Sequence, residues 1–177
     1  MNTGQMLITI GAVFLLALVI LRVNTNLLVT QNVLNASKIN LIATSFATSA
    51  IEEITNKRFD QNTVNGAVLL STNLTSAANL DRETGEVYPN FNDIDDYNDF
   101  KDEPKIDSVD TYNGQKIYME TFYKVYYVSQ NTPDVVSSVQ TWDKRVDVKV
   151  TSDAMINEDT GIQDTIRMST IFSYWFF

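Results

Sequence analysis

The hydrophobic positions fall into two regimes. From Met6 to Leu21 the run Met-Leu-Ile-Thr-Ile-Gly-Ala-Val-Phe-Leu-Leu-Ala-Leu-Val-Ile-Leu contains no charged residue. It is apolar on every face, which suits lipid or a protein interior. At 1.5 Å per residue the run covers roughly 24 Å, short of a hydrocarbon core of about 30 Å. With its flanks it occupies about residues 5–23. The helical pattern does not stop at Arg22, because no proline precedes Pro89 and no glycine lies between Gly11 and Gly66. Ile39, Ile42, Phe46, Ala50 and Ile54 recur at spacings of three and four, the signature of one packed helix face. Leu27, Leu34 and Leu41 mark a second stripe. A single helix over 1–58, roughly 80 Å long if continuous, is therefore expected.

The polar positions of this helix are unusual. Asn24, Asn26, Thr30, Asn32, Asn35, Asn40, Thr44, Ser45 and Thr48 dominate, with little charge among them. A lone solvated helix normally carries more Lys and Glu. Uncharged polar side chains tolerate burial where they find partners. The stretch thus predicts a helix enclosed by protein on more than one side.

Near Phe59 the pattern changes. Residues 60–115 read as loop-rich, with turn signals at Asn65-Gly66, Gly85, Tyr88-Pro89 and Asn113-Gly114. Strands follow. Lys116–Ser129 is rich in Tyr, Val, Ile and Phe. Val146, Val148 and Val150 alternate with Asp147 and Lys149, as in a half-buried strand. Thr165–Phe177 reads as the last strand, joined to the preceding one through the turn 157–161 as an antiparallel hairpin. Its aromatic end, Tyr174 to Phe177, is expected to be packed, since four exposed rings invite aggregation. The fold class is α+β: a long hydrophobic N-terminal helix (1–58), then a globular head (59–177) with an antiparallel sheet.

Charge separates the same two regions. Residues 1–58 carry Arg22, Lys38, Lys57 and Arg58 against Glu52 and Glu53, a net of +2. Residues 59–177 carry 9 basic against 20 acidic side chains, a net of −11. Such a head repels phosphate backbones, so nucleic acid is not an expected partner. There is no cysteine and no histidine. Thiolate metal sites and histidine-based hydrolysis are thereby excluded, and no enzymatic activity is expected. A cleaved secretory signal is not expected either: Met1–Gln5 has no positive charge and no small-x-small pattern follows Leu21. A plain single-pass anchor leaves the charge-poor continuation of the helix without a purpose.

This layout resembles the type IV pilins and pseudopilins, over the whole chain. The segment Phe91-Asn92-Asp93-Ile94-Asp95-Asp96-Tyr97-Asn98, followed by Pro104, is similar to one in the heads of MSHA-type minor pilins. The late strand pair, 144–152 and 165–175, is similar as well. The resemblance implies a structural subunit of an extracellular filament on the cell surface, polymerising with copies of itself through the N-terminal helix. It further implies residence in the inner membrane before assembly, and an assembly machinery with an ATPase. The filament-core residues are then Met6, Leu7, Ile8, Phe14, Leu15, Leu16, Leu18, Val19 and Ile20. The family's leader ends in glycine, so either Met1 or Gln5, after Gly4, is the mature start. The fifth mature position, usually a glutamate that pairs with a neighbour's N-terminal amine, falls on Gln5 or on Thr9. Gln5 is the expected assembly contact, as a neutral hydrogen bond. The usual helix-breaking proline near Arg22 is missing. Burying large apolar side chains outside lipid gains about 1.5–3 kcal/mol each, a gain that vanishes inside lipid. A head-to-tail helical contact stays open and extends as a fibre. The alternative is a non-polymerising relative: a minor pilin or pseudopilin of a secretion machine, or an anchored binding domain.

No cofactor is expected beyond calcium. Asp93, Asp95, Asp96 and Asp99, with Asp102 nearby, offer hard oxygen ligands at close spacing in a loop, though without the glycine and distal glutamate of an EF-hand. The other expectation for this loop is an acidic solvated segment pinned by Phe91, Tyr97 and Phe100. Glu52 and Glu53 are expected to pair with Lys57 along the helix. The tyrosines Tyr112, Tyr118, Tyr123, Tyr126 and Tyr127 are expected to line sheet faces.

Overall fold

The computed structural model describes residues 2–111, 113–156 and 161–175. The chain divides into two compact units, Met1–Ile39 and Asn40–Phe177. One helix, α1 (Thr3–Thr55), supplies the first unit and the start of the second. Within the first unit every described side chain up to Lys38 is exposed.

In the second unit α1 buries Ala43, Ala47, Ala50 and Ile54. These recur at four, three and four residues, so they form one stripe. The stripe shares Ala50 and Ile54 with the expected face and departs from it before them. Ile39, Ile42 and Phe46 are only half-buried at its margin and Leu41 is exposed. Three of its four members are alanines, which carry nothing beyond Cβ, and the larger side chains lie at its flanks. The end of α1 is closed locally. Thr55 Oγ1 and Asn56 Nδ2 donate to Glu52 O at 2.7 and 2.8 Å, and Lys57 N donates to Ile54 O at 2.9 Å. These bonds satisfy carbonyls that have no partner further along the helix. The expected pairing of Lys57 with a glutamate is not found. Its Nζ donates to Phe91 O at 2.6 Å, while Glu53 accepts from the Tyr97 hydroxyl at 2.8 Å and lies 3.5 Å from Lys105 Nζ. Tertiary donors out-compete the helix pair, which is weak on its own.

A short helix, α2 (Gln61–Val64), follows and is capped by the Asp60 side chain. The loop region then closes with a 3-10 turn, Asp95–Phe100. The five strands are β1 (Lys105–Asp110), β2 (Lys116–Ser129), β3 (Thr132–Val136), β4 (Asp143–Ile156) and β5 (Gln163–Ser173). They form one antiparallel sheet in the order β1-β2-β4-β5, with β3 also on β2. The expected β4–β5 hairpin is present, in register from Asp143↔Ser173 to Thr151↔Thr165. β1 lies inside the segment expected to be loop, and β3 was not expected.

The core lies on one face of the sheet. Met119, Thr121, Tyr123, Val125 and Tyr127 of β2 alternate inward, opposite Val146, Val148 and Val150 of β4. Tyr123 and Tyr127 are core tyrosines. Tyr126 points to the other face, where its hydroxyl meets Asp147, and Tyr118 is exposed. β5 ends at Ser173 rather than continuing through the aromatic end. Tyr174 leaves the strand and stacks on Trp142, with the Phe59 ring 5.4 Å away on the ring centroids. Trp175 is 70% exposed, against the expectation of a packed ring. Phe176, Phe177, Tyr112 and the turn residues 157–160 lie outside the described residues.

Candidate functional site

Two regions carry unusual chemistry. The first is the N-terminal part of α1, which is long and apolar enough to cross a membrane. Met6, Leu7, Ile8, Phe14, Leu15, Leu16, Leu18, Val19 and Ile20 are each 46–75% exposed. The exposure does not end with the apolar run, since Leu27, Leu28, Val29, Val33 and Leu34 are open as well. The intervening hydroxyls turn back onto their own helix. Thr25 donates to Leu21 O at 2.9 Å, Thr30 to Asn26 O at 2.8 Å and Ser37 to Val33 O at 2.8 Å. Their hydrogen-bonding capacity as donors is thus met without solvent. Gln5 sits in the first turn, where its backbone N donates to Asn2 O and its carbonyl accepts from Thr9 Oγ1, both at 2.9 Å.

The second region is the loop Glu83–Asp99 with the residues that receive it. It is not a solvated acidic loop. Asp93, Asp95 and Asp96 are fully buried, as is Asp60. Lys144, on β4 opposite Tyr127, is equally buried and answers two of them. Its Nζ donates to Asp95 Oδ1 at 2.7 Å, Asp60 Oδ2 at 2.9 Å and Phe59 O at 2.8 Å, which uses all three protons. Asp60 also accepts from Asn62 N, from Thr75 N and Oγ1, and from the Tyr127 hydroxyl. Burial works to raise the Asp60 pKa, but Lys144 and the backbone donors outweigh it and hold the carboxyl below its usual range. Asp95 is pushed the other way, by burial and by the facing Asp60, against the pull of Lys144.

The four aspartates expected as ligands do not converge on one point. Asp93 Oδ1 accepts from the backbone N of Asp95 and Asp96 at 2.9 and 3.3 Å. Burial and the neighbouring Asp95 and Asp96 push the Asp93 carboxyl up to about 9. Asp96 Oδ2 accepts from Asn92 N and Asp93 N at 2.9 and 3.2 Å. Asp99 is turned away and pairs with Arg82 at 2.6 Å on the surface. Instead, Glu83 and Glu86 join Asp96, with one carboxylate oxygen from each lying within 4.8 Å of the others. Burial and the facing Asp96, Asp95 and Glu86 raise the Glu83 carboxyl to about 7, and Glu86 is raised by burial and Asp96.

Glu83, Glu86, Asp60 and Lys144 were not singled out from the sequence. A signal for Lys144 existed: it shares the even-numbered phase of Val146, Val148 and Val150, which places it on the buried face.

Compared with family models, curated proteins and solved structures, the chain finds no match. Its class rests on architecture. A long apolar N-terminal helix followed by a head with a five-stranded antiparallel sheet is the layout of a type IV pilin-like protein.

Proposed function

We propose that this protein is a structural subunit of a type IV pilus-like filament on the cell surface, held in the membrane by α1 before assembly and polymerised through α1 afterwards. The observation that carries the reading is the exposed continuation of α1 beyond Arg22. There Leu27, Leu28, Val33 and Leu34 are open, and the adjoining Thr25, Thr30 and Ser37 hydroxyls are bonded within the helix. An anchor needs only the apolar run. A surface that is apolar, nearly uncharged and carries back-bonded hydroxyls for another full turn and more suits packing against further helices of the same kind. Gln5 supplies a neutral amide near the start of such a contact.

Leu34→Lys separates filament from anchor, because it lies outside the apolar run. The filament reading expects fibres to disappear from sheared surface material in electron micrographs, while the variant still fractionates with membranes. Undiminished fibres carrying the variant would sink the reading. Wild-type protein confined to the membrane fraction, with no fibres, would favour a non-polymerising minor subunit or an anchored binding domain.

A further inference from the structure

Three carboxylates in the loop ahead of the sheet have no counter-charge. Lys144 is spent on Asp60, Asp95 and Phe59 O. Arg82 is engaged by Asp99 and by Glu86 O. Among the described residues no Lys or Arg nitrogen pairs with Glu83, Glu86 or Asp96. Three carboxylates with oxygens within 4.8 Å of one another, partly withdrawn from water, are strongly unfavourable as three anions unless a cation joins them.

A second observation is independent of the count of acids. Asp96 is fully buried, yet its Oδ1 has no hydrogen-bond partner. Its orientation is fixed, because Oδ2 is clamped by the backbone N–H groups of Asn92 and Asp93. Glu83 Oε2, Glu86 Oε2 and Asn92 Oδ1 are buried and unpartnered in the same way. The Asn92 amide is oriented too, since its Nδ2 donates to Glu86 Oε1 and so leaves Oδ1 free to accept. Buried polar atoms are normally paired. Four unpaired oxygens from neighbouring side chains, and no unpaired donor among them, call for a cation.

We propose that Glu83, Glu86 and Asp96, with the amide oxygen of Asn92, bind one calcium ion. The donor set is all oxygen, mixes carboxylate with amide, and lacks the nitrogen and sulfur ligands that transition metals prefer. Calcium accepts six to eight oxygens in flexible geometry, so bidentate glutamates and water complete the shell, and the half-exposed Glu83 and Glu86 leave a path for entry. Bound there, the ion ties the segment around Glu83–Glu86 to Asn92 and Asp96, and Asp96 in turn orders the backbone that leads into the 3-10 turn.

The test uses the full chain in detergent micelles, stripped with EGTA and titrated with calcium chloride to about 5 mM, above the range of weak extracellular sites. Calorimetry should show one ion per chain. At a tenfold excess over Kd the thermal midpoint should rise by about 3–6 °C. The isosteric double variant E83Q/E86Q should lose both responses. In EGTA it should be at least as stable as the wild type, because it relieves the same crowding. Any of three results overturns the proposal: no saturable calcium binding, which means that protons alone neutralise the cluster; binding retained by E83Q/E86Q; or an equal response to magnesium chloride. The wild-type titration stands by itself if the double variant fails to fold.

Discussion

The side-chain amide of Asn98 bonds both backbone groups of Val125: Oδ1 accepts from Val125 N at 2.8 Å and Nδ2 donates to Val125 O at 3.0 Å. On that edge of β2 the strand β1 pairs only with Lys116–Thr121 and β3 only with Val128 and Ser129. Asn98 fills the gap between them as a strand would, and a second Nδ2 bond to Leu80 O, at 2.9 Å, ties in the loop. Asn98→Ala strands these buried groups and should lower unfolding stability by about 2–4 kcal/mol. Urea unfolding in micelles measures it; a loss below about 0.5 kcal/mol, the scale of an ordinary surface change, would show that water takes over the amide's role.

Lys144 presents a different balance. Lys144→Met leaves Asp60 and Asp95 buried without their cation and should cost about 3–5 kcal/mol. Adding Asp60→Asn and Asp95→Asn removes the uncompensated charges and should recover part of that loss. If the triple variant were less stable than Lys144→Met, the ammonium would not be the group that the carboxylates require.

Acid sensitivity follows from Asp60 and Asp147. Burial works to raise the Asp147 pKa, but Ser169, Tyr126 and Arg145 outweigh it, so its pKa, like that of Asp60, is depressed in the folded state. The stability they contribute is present above the unfolded value of 3.8 and is lost as pH falls through the lower folded values. Asp147→Asn should therefore be less stable than wild type at pH 6, with the gap closing as the pH is taken to about 2. Thermal midpoints across that range check the sign; a gap that widens in acid would contradict it.

At the aromatic end, neighbours differ sharply. Tyr174→Ala removes a ring stacked on Trp142 and a hydroxyl that accepts from Val68 N at 3.0 Å, and should cost about 2–4 kcal/mol. Trp175→Ala, at a 70% exposed position, should change stability by under about 0.5 kcal/mol. Equal effects of the two, by chemical denaturation, would refute the assignment of the packing to Tyr174.

What the sequence revealed follows the strength of its local patterns. β2, β4 and β5 were legible because β-branched and aromatic residues alternate in them. β1 was hidden because its apolar residues, Ile106 and Val109, are out of phase with each other, and β3 because Pro133 masks an edge strand. Alanine contributes little to a hydrophobic pattern, so Ala43 and Ala47 are hidden behind their larger neighbours, while Ala50 and Ile54 are legible. The burial of Asp60 and Asp95 depends on Lys144, many residues away along the chain, and no local window holds all three. The aspartates of the loop stand out in the sequence as a dense cluster, whereas Glu83 and Glu86, which join Asp96, precede that cluster and do not.

The back-bonded hydroxyls of α1 have a thermodynamic corollary. Thr25, Thr30 and Ser37 carry their hydrogen-bond acceptors with them, as the helix's own carbonyls. Moving such a segment between oil, water and protein breaks no donor bond and requires no new one, so for these groups the free energy of transfer is nearly flat across media. What remains to discriminate one environment from another is the apolar surface between them and the amides of Asn24, Asn26, Asn32 and Asn35, which do have to find partners wherever the helix comes to rest.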